Sequence, residues 1–334
     1  EAVKFAETDF WDLQQSNLVA CSQCNLIQLD PMLTPRSIQL GCDAYYHFER
    51  MHTSISEQQR NLIRNFRRGI LFASQLQSRG FSPHQVLEFG PGTGHFTAGI
   101  KLVFPLANVT VVDIVDEVLS YNANTHNFTT VKGSPETMTG LIGKDYDLVI
   151  ARDVIEHVTD IGQVIKNISG LLNPGGLFHF TTPNGKEDVW KHLVNWSLCK
   201  CPSELLINHV NYFDGKGLRD FLQSHDLYPV SFYTYKMKTI LRGKGWKFSA
   251  GLSAPVSTKR STDSVQKNEP MDTGQNFDLH GDSASELVAK NWYLKTQHSW
   301  IRKFICWYMH EPLVKLNPDR NMGHEMFGIF IKRK

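Results

Sequence analysis

The chain has 334 residues, 41% hydrophobic and 11% aromatic, with 35 Lys and Arg against 33 Asp and Glu and a formal charge of +2. A chain of this kind buries a sizeable core in one elaborated domain or two, and its near-neutral balance makes no electrostatic case for nucleic acid as the main ligand. No apolar run reaches the length of a membrane span, and the opening EAVKFAETDF lacks the apolar core of a signal peptide, so a cytoplasmic protein is expected.

Six cysteines are too few for this length to read as a disulfide framework, which fits a reduced compartment. The Asn-x-Ser/Thr triplets at Asn108, Asn127, Asn167 and Asn195 are discounted as glycosylation sites on the same ground.

In chain order, residues 1–53 form a small amino-terminal lobe, with short strand-like pieces around LVACSQCNLIQLDP and prolines at 31 and 35 that break any helix. The main α/β domain spans 54–247. It opens with a helix over 54–79, on which Leu62, Ile63, Phe66, Ile70 and Leu71 fall on one face. Strands are predicted at 86–89, 109–113, 129–132, 147–151 and 176–181, with helices at 96–104, 115–124 and 161–172 between them. That alternation predicts a parallel sheet covered on both faces. Two later strands, 227–235 and 325–333, are placed to pair at the sheet edge. Between them, 248–283 is rich in Ser, Thr, Asp, Gly and Asn and reads as a flexible loop, while 284–334 carries a helix with Trp292, Trp300 and Trp307 before the final strand.

The most informative stretch is VLEFGPGTGHF. Gly90, Gly92 and Gly94 let the backbone turn tightly after a strand and approach a ligand closely. A triphosphate loop would need Gly-Lys-Ser/Thr, yet Gly94 is followed by His95 and Phe96. A dinucleotide loop would need Gly-x-Gly-x-x-Gly, and this one is Gly-x-Gly-x-Gly. The variant suits a ligand with no phosphate, an adenosine with an amino-acid tail. Glu88 would then lie near a cationic ammonium, Asp113 in VTVVDIVDEVL would accept from the ribose hydroxyls, and Ile114 would pack on adenine.

VLEFGPGTGHF, VTVVDIVDEVL, DYDLVIARDVIEHVTD and LLNPGGLFHFTTPN resemble, in order and spacing, the successive motifs of class I S-adenosylmethionine-dependent methyltransferases. The resemblance covers about 84–235 plus the terminal strand. It implies a Rossmann-like, seven-stranded, mostly parallel sheet with helices on both faces, and S-adenosylmethionine as cofactor. It also puts Ser134 of KGSPETM where the family usually has an acid for the adenine amino group, and Arg152 and Asp153 where cofactor and acceptor meet. Asp153 reads equally as the cap of a helical turn starting near Ile155.

A narrower resemblance links CSQCNLIQLDPMLTPRSIQLGCDAYY to the segment preceding the catalytic domain in bacterial methyltransferases fronted by a zinc ribbon, some sugar C-methyltransferases among them. Those share one zinc between two Cys-x-x-Cys pairs. Only Cys21 and Cys24 form such a pair here; Cys42 and His47 complete a ligand set by spacing alone, and two thiols in a small apolar lobe are the favoured reading over bound zinc.

Ligands of open parallel sheets lie outside the carboxyl ends of the strands, so base candidates are sought there. His157, at the opening of a helix after the fourth strand, and His209 in INHVNYFD are the two, with Tyr212 and Phe213 beside the latter as walls of an acceptor pocket. The expected reaction is methyl transfer to a small-molecule or saccharide-type acceptor on oxygen. Carbon methylation and a non-catalytic S-adenosylmethionine-binding assembly role are the alternatives.

Overall fold

The computed structural model describes residues 3–4, 17–22, 24–34, 36–38, 55–137, 141, 145–185, 188–189, 209–235, 315, 318 and 325–333. The expected loop over 248–283, the tryptophan-bearing helix, Cys42 and His47 lie outside the described residues.

The first helix, α1 (Ile55–Ser78), buries Phe66, Ile70, Ala73 and Leu76, one stripe at three-to-four spacing. It packs on α2 (His95–Val103) at unusually short range, because a Cβ on Gly69 would stand 1.8 Å from the Phe96 carbonyl oxygen and one on Gly99 would stand 2.2 Å from that of Phe66. Only glycine on both sides permits this approach.

Beneath these helices lies a seven-stranded sheet. Its parallel part runs β8 (Leu172–Pro183), β7 (Tyr146–Arg152), β4 (Gln85–Phe89), β5 (Asn108–Asp113), β6 (Thr129–Lys132). The central strands are buried on both faces, and alternate residues serve two cores. Val86, Leu148 and Ile150 face the core that includes Phe66 and Ile70 of α1. Leu87, Phe89, Val149 and Ala151 face the core of α4 (Ile161–Leu171) and α5 (Gly215–Gln223). Asp160 and Asp214 cap these two helices, each accepting from the backbone N–H three residues on, at 2.9 and 3.0 Å.

The late strands pair as expected, but β11 (Glu325–Lys332) lies inside the sheet, antiparallel to both β8 and β10 (Leu227–Tyr235), and of the two late strands β10 alone is an edge. A second sheet joins β1 (Val3–Lys4), β2 (Asn17–Ala20) and β3 (Ile27–Asp30) of the amino-terminal lobe to β9 (Asn211–Tyr212), which arises between β8 and α5. The lobe therefore takes its last strand from the main domain. Among the described residues no helix is long and apolar enough to cross a membrane.

Candidate active site

The glycine loop follows β4 at the carboxyl end of the sheet. Gly90, Gly92 and Gly94 all take positive φ (62°, 52° and 68°). A Cβ on Gly90 would meet Val154 Cγ2 at 2.6 Å and one on Gly94 would meet Asn122 Oδ1 at 1.9 Å, while one on Gly92 would find nothing within 4 Å. The outer glycines are thus needed for packing, and the middle one opens toward a ligand. The neighbouring helix α3 (Asp116–His126) fixes the loop's shape. Asn122 Nδ2 donates to the Gly92 carbonyl (2.8 Å), and both His126 Nε2 and His95 Nδ1 reach the Thr93 carbonyl (2.9 Å each). A carbonyl only accepts, so both ring nitrogens carry their proton.

Glu88 is buried at the end of β4 and accepts a hydrogen bond from Thr97 Oγ1; burial pushes its carboxyl up to about 7. Asp113 ends β5, with Oδ1 accepting from the Val115 N–H at 2.9 Å and half-buried Ile114 beside it. Ser134 stands just after β6, where its hydroxyl oxygen accepts from the N–H groups of Glu136 (3.3 Å) and Thr137 (3.4 Å) and so shapes a turn. An open glycine bend flanked by one acid on β4 and one on β5, with no lysine in the loop, fits an adenosyl ligand with a cationic tail and offers nothing to a pyrophosphate.

Across the strand ends, Asp153 takes a left-handed conformation (φ 53°) and is locked to β8: its N–H donates to the Thr181 carbonyl and Thr181 Oγ1 donates to Asp153 Oδ1, both at 2.9 Å. It caps no helix, because the helix expected to open at Ile155 and His157 does not form. The carbonyls such a helix would use internally are taken by another segment. Asn211 Nδ2 donates to those of Ile155 (3.2 Å) and Val158 (2.7 Å), and the N–H groups of Val210 and Asn211 donate to that of Glu156. Glu136 Oε1 meanwhile accepts from the N–H groups of Thr159 and Asp160 (2.6 and 3.1 Å). His157 therefore lies in a turn, and regular helix waits until Asp160 caps α4.

This stitching brings the two expected histidines together, with ring centroids 5.0 Å apart. His209 Nδ1 lies 2.7 Å from Asp188 Oδ2. Donor atoms of Glu156, His157 and His209 all lie within 4.8 Å of one another, a spacing open to a cation as well as to proton transfer. Glu156 is buried, accepts from Thr182 Oγ1 (3.1 Å), and is pushed well above the usual carboxylate range by burial and then by the Asp153 charge. Tyr212 and Phe213 are both buried, the first in β9 and the second in the sheet core, so Phe213 is not an acceptor wall.

Cys21 and Cys24 sit in the β2–β3 turn, away from this cluster: the Cys24 carbonyl packs against Gly217 of α5, where a Cβ would stand 1.9 Å from it. Burial pushes the Cys24 thiol up, and among the described residues neither cysteine joins a group of metal-ligating side chains. Asp188, Glu156 and Asn211 went unnoticed as site residues. Glu156 stood inside a motif already singled out, whereas Asp188 and Asn211 gain meaning only from the fold.

The fold is that of the class I S-adenosylmethionine-dependent methyltransferases. Residues 57–231, more than half of the chain, match the family model described as a methyltransferase domain, and the chain belongs to that family. S-adenosylmethionine is the cofactor of the class. A malonyl-[acyl-carrier protein] O-methyltransferase of Bacillus anthracis is 25% identical over 127 residues, 38% of this chain and 47% of that one. A ubiquinone biosynthesis O-methyltransferase of Proteus mirabilis is 28% identical over 126 residues, 36% of this chain and 50% of that one. The chain thus spans about half the length of these relatives. Among solved structures, the plantazolicin methyltransferase BpumL in complex with a triazolic desmethylPZN analog and SAH is similar at 14% identity and a TM-score of 0.49, covering 90% of this chain and 91% of that one. An O-methyltransferase family protein from Burkholderia thailandensis is similar at 16% identity and a TM-score of 0.41, covering 52% and 54%.

Proposed function

We propose that this chain transfers a methyl group from S-adenosylmethionine to a hydroxyl oxygen of a small-molecule or saccharide-type acceptor. The choice of oxygen rests on the Asp188–His209 pair, 2.7 Å between Oδ2 and Nδ1. A carboxylate accepts, so Nδ1 holds the proton and Nε2 is the basic nitrogen. Attack by a hydroxyl calls for such a base, because the oxygen must shed its proton as the new bond forms. The two relatives above, both named as O-methyltransferases, support oxygen over carbon.

When bound, the cofactor supplies an electrophilic methyl group on a sulfonium. The chain contributes alignment and proton removal. The glycine loop, Glu88, Asp113, Ile114 and the turn at Ser134 hold the donor, with Arg152 and Asp153 at the seam between donor and acceptor. His209 Nε2 takes the hydroxyl proton, Asp188 steadies the imidazolium that results, and His157 packs beside it.

The test is turnover of methyl-labelled S-adenosylmethionine against a panel of phenols and sugars, with calorimetry of S-adenosylhomocysteine alongside. His209→Gln is expected to lower kcat by roughly 100-fold or more while leaving cofactor affinity intact. Full turnover by the double variant His157→Gln with His209→Gln overturns the base assignment.

A further inference from the structure

The strand that the main domain lends to the amino-terminal lobe begins two residues after His209. Ile27 and Gln28 of β3 pair with Tyr212 and Asn211 of β9, and the Leu29 N–H donates to the Val210 carbonyl at 3.2 Å. The lobe therefore grips the chain beside the base. The Asn211 side chain is 2% exposed, and its two ends face different segments. Carbonyls only accept, so the NH2 end must face those of Ile155 and Val158, which leaves Oδ1 toward the lobe, where half-buried Gln28 donates through Nε2 at 2.7 Å. Turned over by half a rotation, the same amide would keep its shape and aim an oxygen at two carbonyls. A donor at position 28 rewards the correct orientation and an acceptor there would reward the wrong one. The turn that Asn211 holds carries His157, whose ring lies 5.0 Å from that of His209.

We propose that Gln28 of the amino-terminal lobe is a positioning residue for the histidine pair: by donating to Asn211 Oδ1 it keeps that amide turned toward the Ile155–Val158 turn and so holds His157 against His209. The lobe is then part of the acceptor site although Gln28 touches no reacting atom. The effect on turnover rests on the function proposed above; the placement of the two rings does not.

Gln28→Glu tests this with a side chain of nearly the same shape that, ionised at pH 8, accepts where glutamine donates; Gln28→Lys keeps an N–H donor and changes the shape. Both are compared with the wild type by proton NMR of the histidine rings, assigned with His157→Gln and His209→Gln, and by turnover of a phenol that the wild type methylates. In Gln28→Glu the nuclear Overhauser contact between the His157 and His209 rings is expected to vanish, and kcat to fall by about 10-fold to 100-fold with the KM for the phenol within twofold of wild type. Gln28→Lys should recover part of both. Unchanged calorimetric binding of S-adenosylhomocysteine shows that the variants are folded. A lower urea midpoint for Gln28→Glu with the ring contact and kcat both intact overturns the proposal, because Gln28 would then serve stability alone. Loss of the ring contact with full turnover upholds the positioning role and counts instead against His209 as the base.

Discussion

The two banks of the cleft are held by different kinds of contact. On the proposed cofactor bank, the loop after β4 is fastened by Asn122 and His126 of the helix that follows the next strand and by His95 of α2, all reaching the carbonyls of Gly92 and Thr93. On the acceptor bank the parts arrive from distant places. Gln28 of the amino-terminal lobe donates to Asn211 Oδ1 at 2.7 Å, and Asn211 donates onward to Ile155 and Val158. Local bonds hold the first bank, whereas on the second the Asn211 side chain and the backbone N–H groups of Val210 and Asn211 tie together three segments distant in sequence. Donor binding and acceptor chemistry should therefore separate under mutation.

The largest expected effect is on the acceptor bank alone. Asp188→Asn exchanges an acceptor for an amide that no longer fixes the His209 tautomer, so kcat should fall by roughly 100-fold to 10,000-fold with S-adenosylhomocysteine affinity within twofold of wild type. A matching loss of affinity would mean that the banks act as one. Asn211→Ala leaves two buried carbonyls without their side-chain donor. It should cost about 2–4 kcal/mol in urea unfolding, again sparing cofactor affinity once the protein is folded.

Gly94→Ala tests the opposite bank. Its φ of 68° and the 1.9 Å approach of Asn122 Oδ1 predict about 1–3 kcal/mol of lost stability and weaker cofactor binding, with the pH dependence of turnover unchanged. The smallest effect has a sign that depends on pH. Because Glu88 is raised to about 7 from 4.5, the folded protein holds more protons than the unfolded chain between those values, and stability falls as pH rises through that window. Glu88→Gln should thus match wild type near pH 4 and exceed it by about 3 kcal/mol at pH 8 in the absence of cofactor. Cofactor affinity should move the other way at pH 8 if the charged carboxylate serves the ammonium, and unchanged affinity would remove Glu88 from the binding residues.

The same division explains what could be read from the chain. The strands at 86–89, 109–113, 129–132 and 147–151 are each found within one residue at either end, the central ones because buried parallel strands write continuous apolar runs. The glycine loop was legible because three closely spaced positive-φ positions strongly favour glycine wherever the rest of the chain goes. The turn at Ile155–His157 was misread as a helix because its local propensity was overruled by Asn211, far along the chain and without a pattern of its own. His157 and His209 could be named from strand-end logic, but their meeting and the Asp188 partner depend on β9 being drawn into the lobe's sheet.

The position of β11 between β8 and β10 carries a consequence for synthesis. When β10 leaves the ribosome its hydrogen-bonding neighbour does not yet exist, and about 90 further residues must be made before Glu325–Lys332 emerges, roughly 5–18 s at ordinary elongation rates. During that interval the flank of β8 is a bare template able to accept a wrong strand. A nascent chain stalled before residue 325 should accordingly leave the β8 amides unprotected in hydrogen exchange and bind a holding chaperone, and extending it past Lys332 should abolish both together.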